Sequence, residues 1–98
     1  MAEDHDIGPD PSLLLVDDDE IFLNRLARAM EKRGFHVTRA LSVAEARAAV
    51  HLSAPAFAVV DLRLEDGNGL DVVDALREAR ENTRIVVLTG YGAIATAV

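Results

Sequence analysis

An α/β fold, with a parallel sheet and helices on both of its faces, is what this sequence predicts, and three observations predict it. Short strand-like segments alternate with longer stretches of helical spacing along the whole chain. Leu13-Leu14-Leu15-Val16, Phe57-Ala58-Val59-Val60 and Ile85-Val86-Val87-Leu88 are continuous apolar runs rather than alternating ones, which suits strands covered on both sides. No internal repeat or low-complexity tract interrupts the order. A β-α-β-α-β-α-β succession of this kind implies right-handed crossovers between parallel strands.

Met1 to Pro11 is acidic, contains Pro9 and Pro11, and reads as a disordered leader; the domain is expected to begin at Ser12. The first apolar run stops at Asp17-Asp18-Asp19, and Asp19 is the expected N-cap of the helix that follows. In that helix Phe22, Leu26, Ala29 and Met30 share a face, and Gly34 is placed to stop it. Phe35 to Ala40 follows as a second strand. Ser42-Val43-Ala44-Glu45 then fits a capping box at the head of an Ala-rich helix reaching about His51, with Pro55 in the loop behind it. The third run ends on Asp61, and Arg63 to Gly69 is a polar loop. Leu70, Val73 and Leu76 mark the next helix, the fourth run ends at Thr89-Gly90, and residues 93–98 look like the start of another helix.

Composition narrows the function. With 17 acidic against 10 basic residues the net charge is −7, which opposes direct contact with nucleic-acid phosphates or anionic membranes. The absence of cysteine excludes disulfides, thiolate metal sites and thiol nucleophiles. No apolar run approaches the ~20 residues that span a bilayer, and the N-terminus lacks a signal-peptide pattern, so a cytoplasmic location is expected. His5, His36 and His51 show no metal-ligand spacing and are expected at the surface, and Tyr91 is expected in a loop.

In parallel sheets functional groups gather beyond the carboxyl ends of the strands. Asp17 and Asp18, Asp61 and Thr89 all stand at such ends. Carboxylates crowded into one pocket repel each other, and a divalent cation relieves that repulsion. Hard oxygen ligands with room for water and a phosphate oxygen suit magnesium. A carboxylate can also attack phosphorus to give an aspartyl-phosphate, a transfer that needs positioning and charge neutralisation more than acid–base chemistry.

The segments Leu14-Leu15-Val16-Asp17-Asp18-Asp19, Val59-Val60-Asp61-Leu62-Arg63-Leu64 and Val87-Leu88-Thr89-Gly90, with Asn68-Gly69 after Asp61, resemble the signature segments of response-regulator receiver domains of two-component systems. The resemblance covers about Leu13 to Val98. Finer similarity in Val16-Asp17-Asp18-Asp19, Asp66-Gly67-Asn68-Gly69 and Leu88-Thr89-Gly90-Tyr91-Gly92 points to the RegA/PrrA/ActR type of redox-responsive regulators. It implies a flavodoxin-like, CheY-like sheet of order 2-1-3-4. It also implies Mg2+ held by Asp17, Asp18, Asp61 and the backbone carbonyl of Arg63, with Asp61 as phosphoacceptor and Thr89 as switch hydroxyl. The implied partner is a sensor histidine kinase, the implied output a transcription-regulating domain, and two copies could pair as a homodimer. The domain would be a signalling module rather than an enzyme, at most phosphorylating and dephosphorylating itself. In the family a fifth strand carries a lysine that pairs with the phosphoryl group; this chain stops before it, so a truncated receiver with its fourth strand as an open edge is expected.

Two other readings compete. A haloacid-dehalogenase-like phosphatase would use Asp17 and Asp19 as an Asp-x-Asp nucleophile motif and Thr89 as its hydroxyl residue, which leaves Asp61 unexplained. An interaction module that turns over no phosphate would bind magnesium without becoming phosphorylated.

Overall fold

A computed structural model of the chain describes residues 7–89 and the backbone of 94–97. In chain order the elements are β1 (Ser12–Val16), α1 (Glu20–Lys32), β2 (His36–Ala40), α2 (Val43–Leu52), β3 (Phe57–Asp61), β4 (Arg63–Leu64), β5 (Gly67–Asn68), α3 (Gly69–Ala79), β6 (Arg84–Leu88) and β7 (Ile94–Ala97). The main sheet has the order β2-β1-β3-β6-β7, and β2, β1, β3 and β6 are mutually parallel. This is the flavodoxin-like arrangement expected for the first four strands.

The continuous apolar runs have the predicted cause. Leu14 and Val16 point into one core with Val43, Ala46 and Val50 of α2 and Val72 and Leu76 of α3. Leu13 and Leu15 point into a second core with Leu23 and Ala27 of α1, against which Phe35, Val37, Phe57 and Val59 pack. Both faces of β1 are thus dry, and a strand with two dry faces needs no polar alternation. Phe35 and Phe57 meet edge to face with ring centroids 5.3 Å apart.

Local signals set the helix ends. The Phe22 amide donates to Asp19 Oδ1, the N-cap contact expected of Asp19. At the other end Gly34, with φ +99°, lets its own N–H reach Glu31 O while the Phe35 N–H reaches Met30 O, a Schellman closure. At α2 the Glu45 amide donates to Ser42 Oγ, and Glu45 Oε1 accepts from Leu41 N, one residue earlier than in the usual reciprocal box.

Several expectations are corrected. The buried stripe of α1 is Leu23 and Ala27 flanked by Leu26 and Met30, whereas Phe22 and Ala29 are exposed. In α3, Val72 and Leu76 are buried and Leu70 is exposed. Each shift moves the inward stripe by about one position, because the tilt at which a helix meets the sheet is not encoded in its own spacing. The polar loop at 63–69 contains a small antiparallel hairpin pairing Arg63 with Asn68 and Leu64 with Gly67. The segment expected to begin a helix at 93–98 instead supplies β7, antiparallel to β6 with Ile85 opposite Ala97 and Leu88 opposite Ile94. That pairing satisfies the edge groups of β6, so the fourth strand is not the open edge expected. Asp10 accepts hydrogen bonds from the amide and hydroxyl of Ser12 and pairs with Arg80 at 2.7 Å, and Pro11 O accepts from His36 N. His36 and His51 are exposed, as expected; His5 and Tyr91 lie outside the described residues.

Candidate acidic phosphoacceptor and metal site

Parallel pairing brings the ends of β1 and β3 side by side, with Val16 opposite Val60, so the residues that follow them share one edge. There Asp17, Asp18 and Asp61 each offer a carboxylate oxygen, and all of these lie within 4.8 Å of one another. β6 ends beside β3, with Leu88 opposite Asp61, which puts Thr89 one residue beyond the same edge, half-buried. Of the predicted site residues, Asp17, Asp18 and Asp61 are therefore brought together, Thr89 stands at the neighbouring strand end, and Arg63 lies in β4 two residues past Asp61.

The carboxylates differ in setting. Asp17 is only 8% exposed; its amide donates to Ala40 O, and its Oδ1 accepts from the Asp19 amide at 2.8 Å. Burial pushes the Asp17 carboxyl above its ordinary pKa. The Asp19 N–H bond opposes that shift, and the charges of Asp61, Asp18 and Asp19 add to it. Asp18 is exposed, and its Oδ2 accepts from the Glu65 amide at 3.1 Å. Asp61 is half-buried; its Oδ1 accepts from the Arg63 amide at 3.1 Å, and Leu62 N–H donates to Leu88 O. Asp19 lies outside the cluster because its carboxylate caps α1.

A buried carboxylate facing two others, with no cationic side chain among the groups that shift it, is a donor set suited to a hard divalent cation. The same crowding holds an Asp61 oxygen beside the place where a cation would neutralise an incoming phosphoryl group.

Three residues that shape this edge escaped sequence reasoning as site elements. The Glu65 amide holds Asp18. The carboxylate of Asp66 accepts from the Val43 amide at 2.9 Å and the Ala44 amide at 3.2 Å, at the N-terminus of α2. Those bonds, the Val43 one foremost, hold the Asp66 carboxyl below its ordinary pKa. Gly69 approaches the Asp61 backbone so closely that a side chain there would strike it. The Asp66-Gly67 pair carried a local turn signal; nothing local marked the partners of Glu65 or Gly69.

Comparison with known proteins agrees with this geometry. The family model described as the response regulator receiver domain matches residues 13–98. The photosynthetic apparatus regulatory protein RegA of Cereibacter sphaeroides is 70% identical over 100 residues, covering 100% of this chain and 54% of that protein. The acid tolerance regulatory protein ActR of Rhizobium meliloti is 64% identical over 92 residues, covering 94% of this chain and 47% of that protein. The chain thus spans about half the length of these curated relatives. A response regulator from Burkholderia pseudomallei, whose crystal structure holds a phosphorylated aspartic acid, a calcium ion and citrate, superposes with TM-score 0.80 at 37% identity, covering 86% of this chain and 49% of that one. A CheY-like receiver domain protein from Methanospirillum hungatei superposes with TM-score 0.79 at 25% identity, covering 87% of this chain and 68% of that one. The chain belongs to the response regulator receiver domain family, and within it to the RegA and ActR type.

Proposed function

We propose that Asp61 accepts a phosphoryl group from the phosphohistidine of a sensor histidine kinase, at a Mg2+ site formed by Asp17, Asp18, Asp61 and the backbone carbonyl of Arg63. The observation that carries this reading is the clustering of three carboxylates within 4.8 Å at the carboxyl ends of two adjacent parallel strands. In the transfer an Asp61 oxygen attacks phosphorus, a P–O bond forms, and the P–N bond to the kinase histidine breaks with its electron pair returning to the imidazole. Bound Mg2+ supplies neutralisation of the charge gathered on the phosphoryl oxygens. Asp17, anchored by the Asp19 amide, fixes the buried side of the site, and Asp18 its exposed side. Thr89, at the neighbouring strand end, is the hydroxyl that turns toward the acylphosphate and passes the change to the surface around β6.

Ile21 and Phe22 at the start of α1 and Leu70 at the start of α3 are 70%, 41% and 51% exposed. Both helices begin at the carboxylate edge, so these residues offer apolar contact to a docking kinase beside Asp61. Receiver domains are signalling modules rather than classical enzymes, and the RegA and ActR relatives are regulatory proteins. The output we infer is therefore control of transcription by a part of the protein beyond this chain, in the cytoplasm. No helix among the described residues is long and apolar enough to cross a membrane. The phosphatase alternative needs Asp19 in the pocket, where α1 capping does not leave it.

The test is acetyl phosphate with Mg2+, read by intact mass on the parent chain and on Asp61→Asn. A phosphoryl adduct on the parent alone is expected. Labelling retained in Asp61→Asn would move the acceptor elsewhere, and Mg2+ binding with no adduct on either would favour the interaction-module reading.

A further inference from the structure

The hairpin Arg63–Asn68 faces two ways. On its site-facing side, the Arg63 amide donates to Asp61 Oδ1 and the Glu65 amide donates to Asp18 Oδ2. On its other side, the very next residue, Asp66, accepts from the Val43 and Ala44 amides that begin α2, more than 20 residues away in the chain. The strand pairing of Arg63 with Asn68 and of Leu64 with Gly67 leaves Glu65 and Asp66 as the two turn residues, so the two sets of bonds hang from one two-residue turn. Packing reinforces the contact. Leu64 is 7% exposed within the core shared with α2 and α3, and at Gly67 a Cβ would stand 3.3 Å from Val43 Cγ2.

We propose that Asp66 is a positioning residue that holds the Glu65 and Arg63 amides against Asp18 and Asp61, and that it couples occupancy of the acidic site to the N-terminus of α2. The inference rests on the metal-site reading above. A cation at the pocket draws in the same Asp18 and Asp61 carboxylates that accept from the Glu65 and Arg63 amides, so its binding moves the turn that carries those amides. Because Asp66 is bonded to α2, that movement reaches Val43 and Ala44. Coupling is reciprocal: a turn pinned to α2 presents the carboxylates in one arrangement, and a released turn lets them disperse.

The experiment is an Mg2+ titration of the chain followed by the backbone amide resonances. In the parent, Asp17, Asp18 and Asp61 should respond, and Val43 and Ala44 should respond with the same half-saturation. In Asp66→Ala the Val43 and Ala44 response should disappear and half-saturation should rise about three- to tenfold, below the 10–100-fold typical of partners bonded directly to metal ligands. Asp66→Asn keeps an oxygen for Val43 without the charge and should recover most of the affinity. Ser42→Ala removes the other side-chain cap of α2 and should leave Mg2+ affinity at the parent value. The proposal is overturned if Asp66→Ala binds like the parent, if Asp66→Asn is as weak as Asp66→Ala, or if Ser42→Ala is weakened equally. Failure of Asp17, Asp18 and Asp61 to respond in the parent would overturn the metal-site reading as well.

Discussion

Replacing Gly69 by alanine tests how the end of β3 at Asp61 is held. Gly69 opens α3, and its amide donates to Leu62 O at 2.9 Å, drawing the helix against the turn that follows Asp61. A Cβ at this position would strike the Asp61 carbonyl oxygen and stand 2.9 Å from both Asp61 C and Leu62 Cα, where ordinary contact begins at 3.4 Å. All of these atoms are backbone, so no side chain can swing aside. Gly69 is not among the glycines with positive φ, so alanine meets no dihedral penalty, and at this first helical position propensity favours it by at most the roughly 1 kcal/mol of a helix interior. Overpacking typically costs about 1–3 kcal/mol, and an obstacle made only of backbone atoms puts this site at the upper end. The clash therefore wins, with a net destabilisation of about 2 kcal/mol. That is a large fraction of the roughly 5–15 kcal/mol that holds a domain together. Urea unfolding should show the midpoint falling at unchanged slope. Because relief requires the Asp61 turn to move, Mg2+ half-saturation measured well below the unfolding midpoint should rise too. A Gly69→Ala chain as stable as the parent, or more so, would refute the reasoning, since propensity would then have outweighed the contact.

Asp17→Asn keeps an oxygen for the Asp19 amide but removes the buried charge. The metal-free chain should gain stability at neutral pH, and the rise of its urea midpoint with Mg2+ should vanish; a variant still stabilised by Mg2+ would remove Asp17 from the site. Asp17 has a raised pKa in the fold, so its burial penalty weakens as pH falls from neutral toward its ordinary 3.8, and the metal-free parent should become more stable over that range relative to Asp17→Asn. Asp10 has the opposite sign: the Ser12 hydroxyl and then Arg80 hold it at about 2. Its contribution is full above 3.8 and is lost as pH falls toward 2, so Arg80→Ala should move acid unfolding to higher pH, and an unmoved midpoint would dismiss the pair. Thr83 is 2% exposed and its hydroxyl donates to Pro55 O at 2.7 Å, so Thr83→Val should lower stability by about 1–3 kcal/mol in urea; no change would mean that the carbonyl finds another donor.

Read alone, the sequence determined the order of β1, α1, β2, α2, β3, α3 and β6, and the identity of the strand-end carboxylates. It could do so because two-sided burial writes itself into Leu13 to Val16 as an unbroken apolar run, and because caps such as Asp19, Ser42 and Gly34 act within a few residues. The likeness to receiver domains added the strand order. Tertiary structure decided what depends on partners distant in the chain. Whether Phe22 or Leu23 faces the sheet depends on how α1 docks, not on its own period. Residues 94–97 became a strand because the free edge of β6 offered hydrogen bonds that their local sequence does not announce. Asp66 read only as part of a polar loop, and its bonds to Val43 and Ala44 exist only once β3 has brought the hairpin beside α2. Local physics reaches about one helical turn along the chain; the geometry of the acidic pocket is set by contacts made across the sheet.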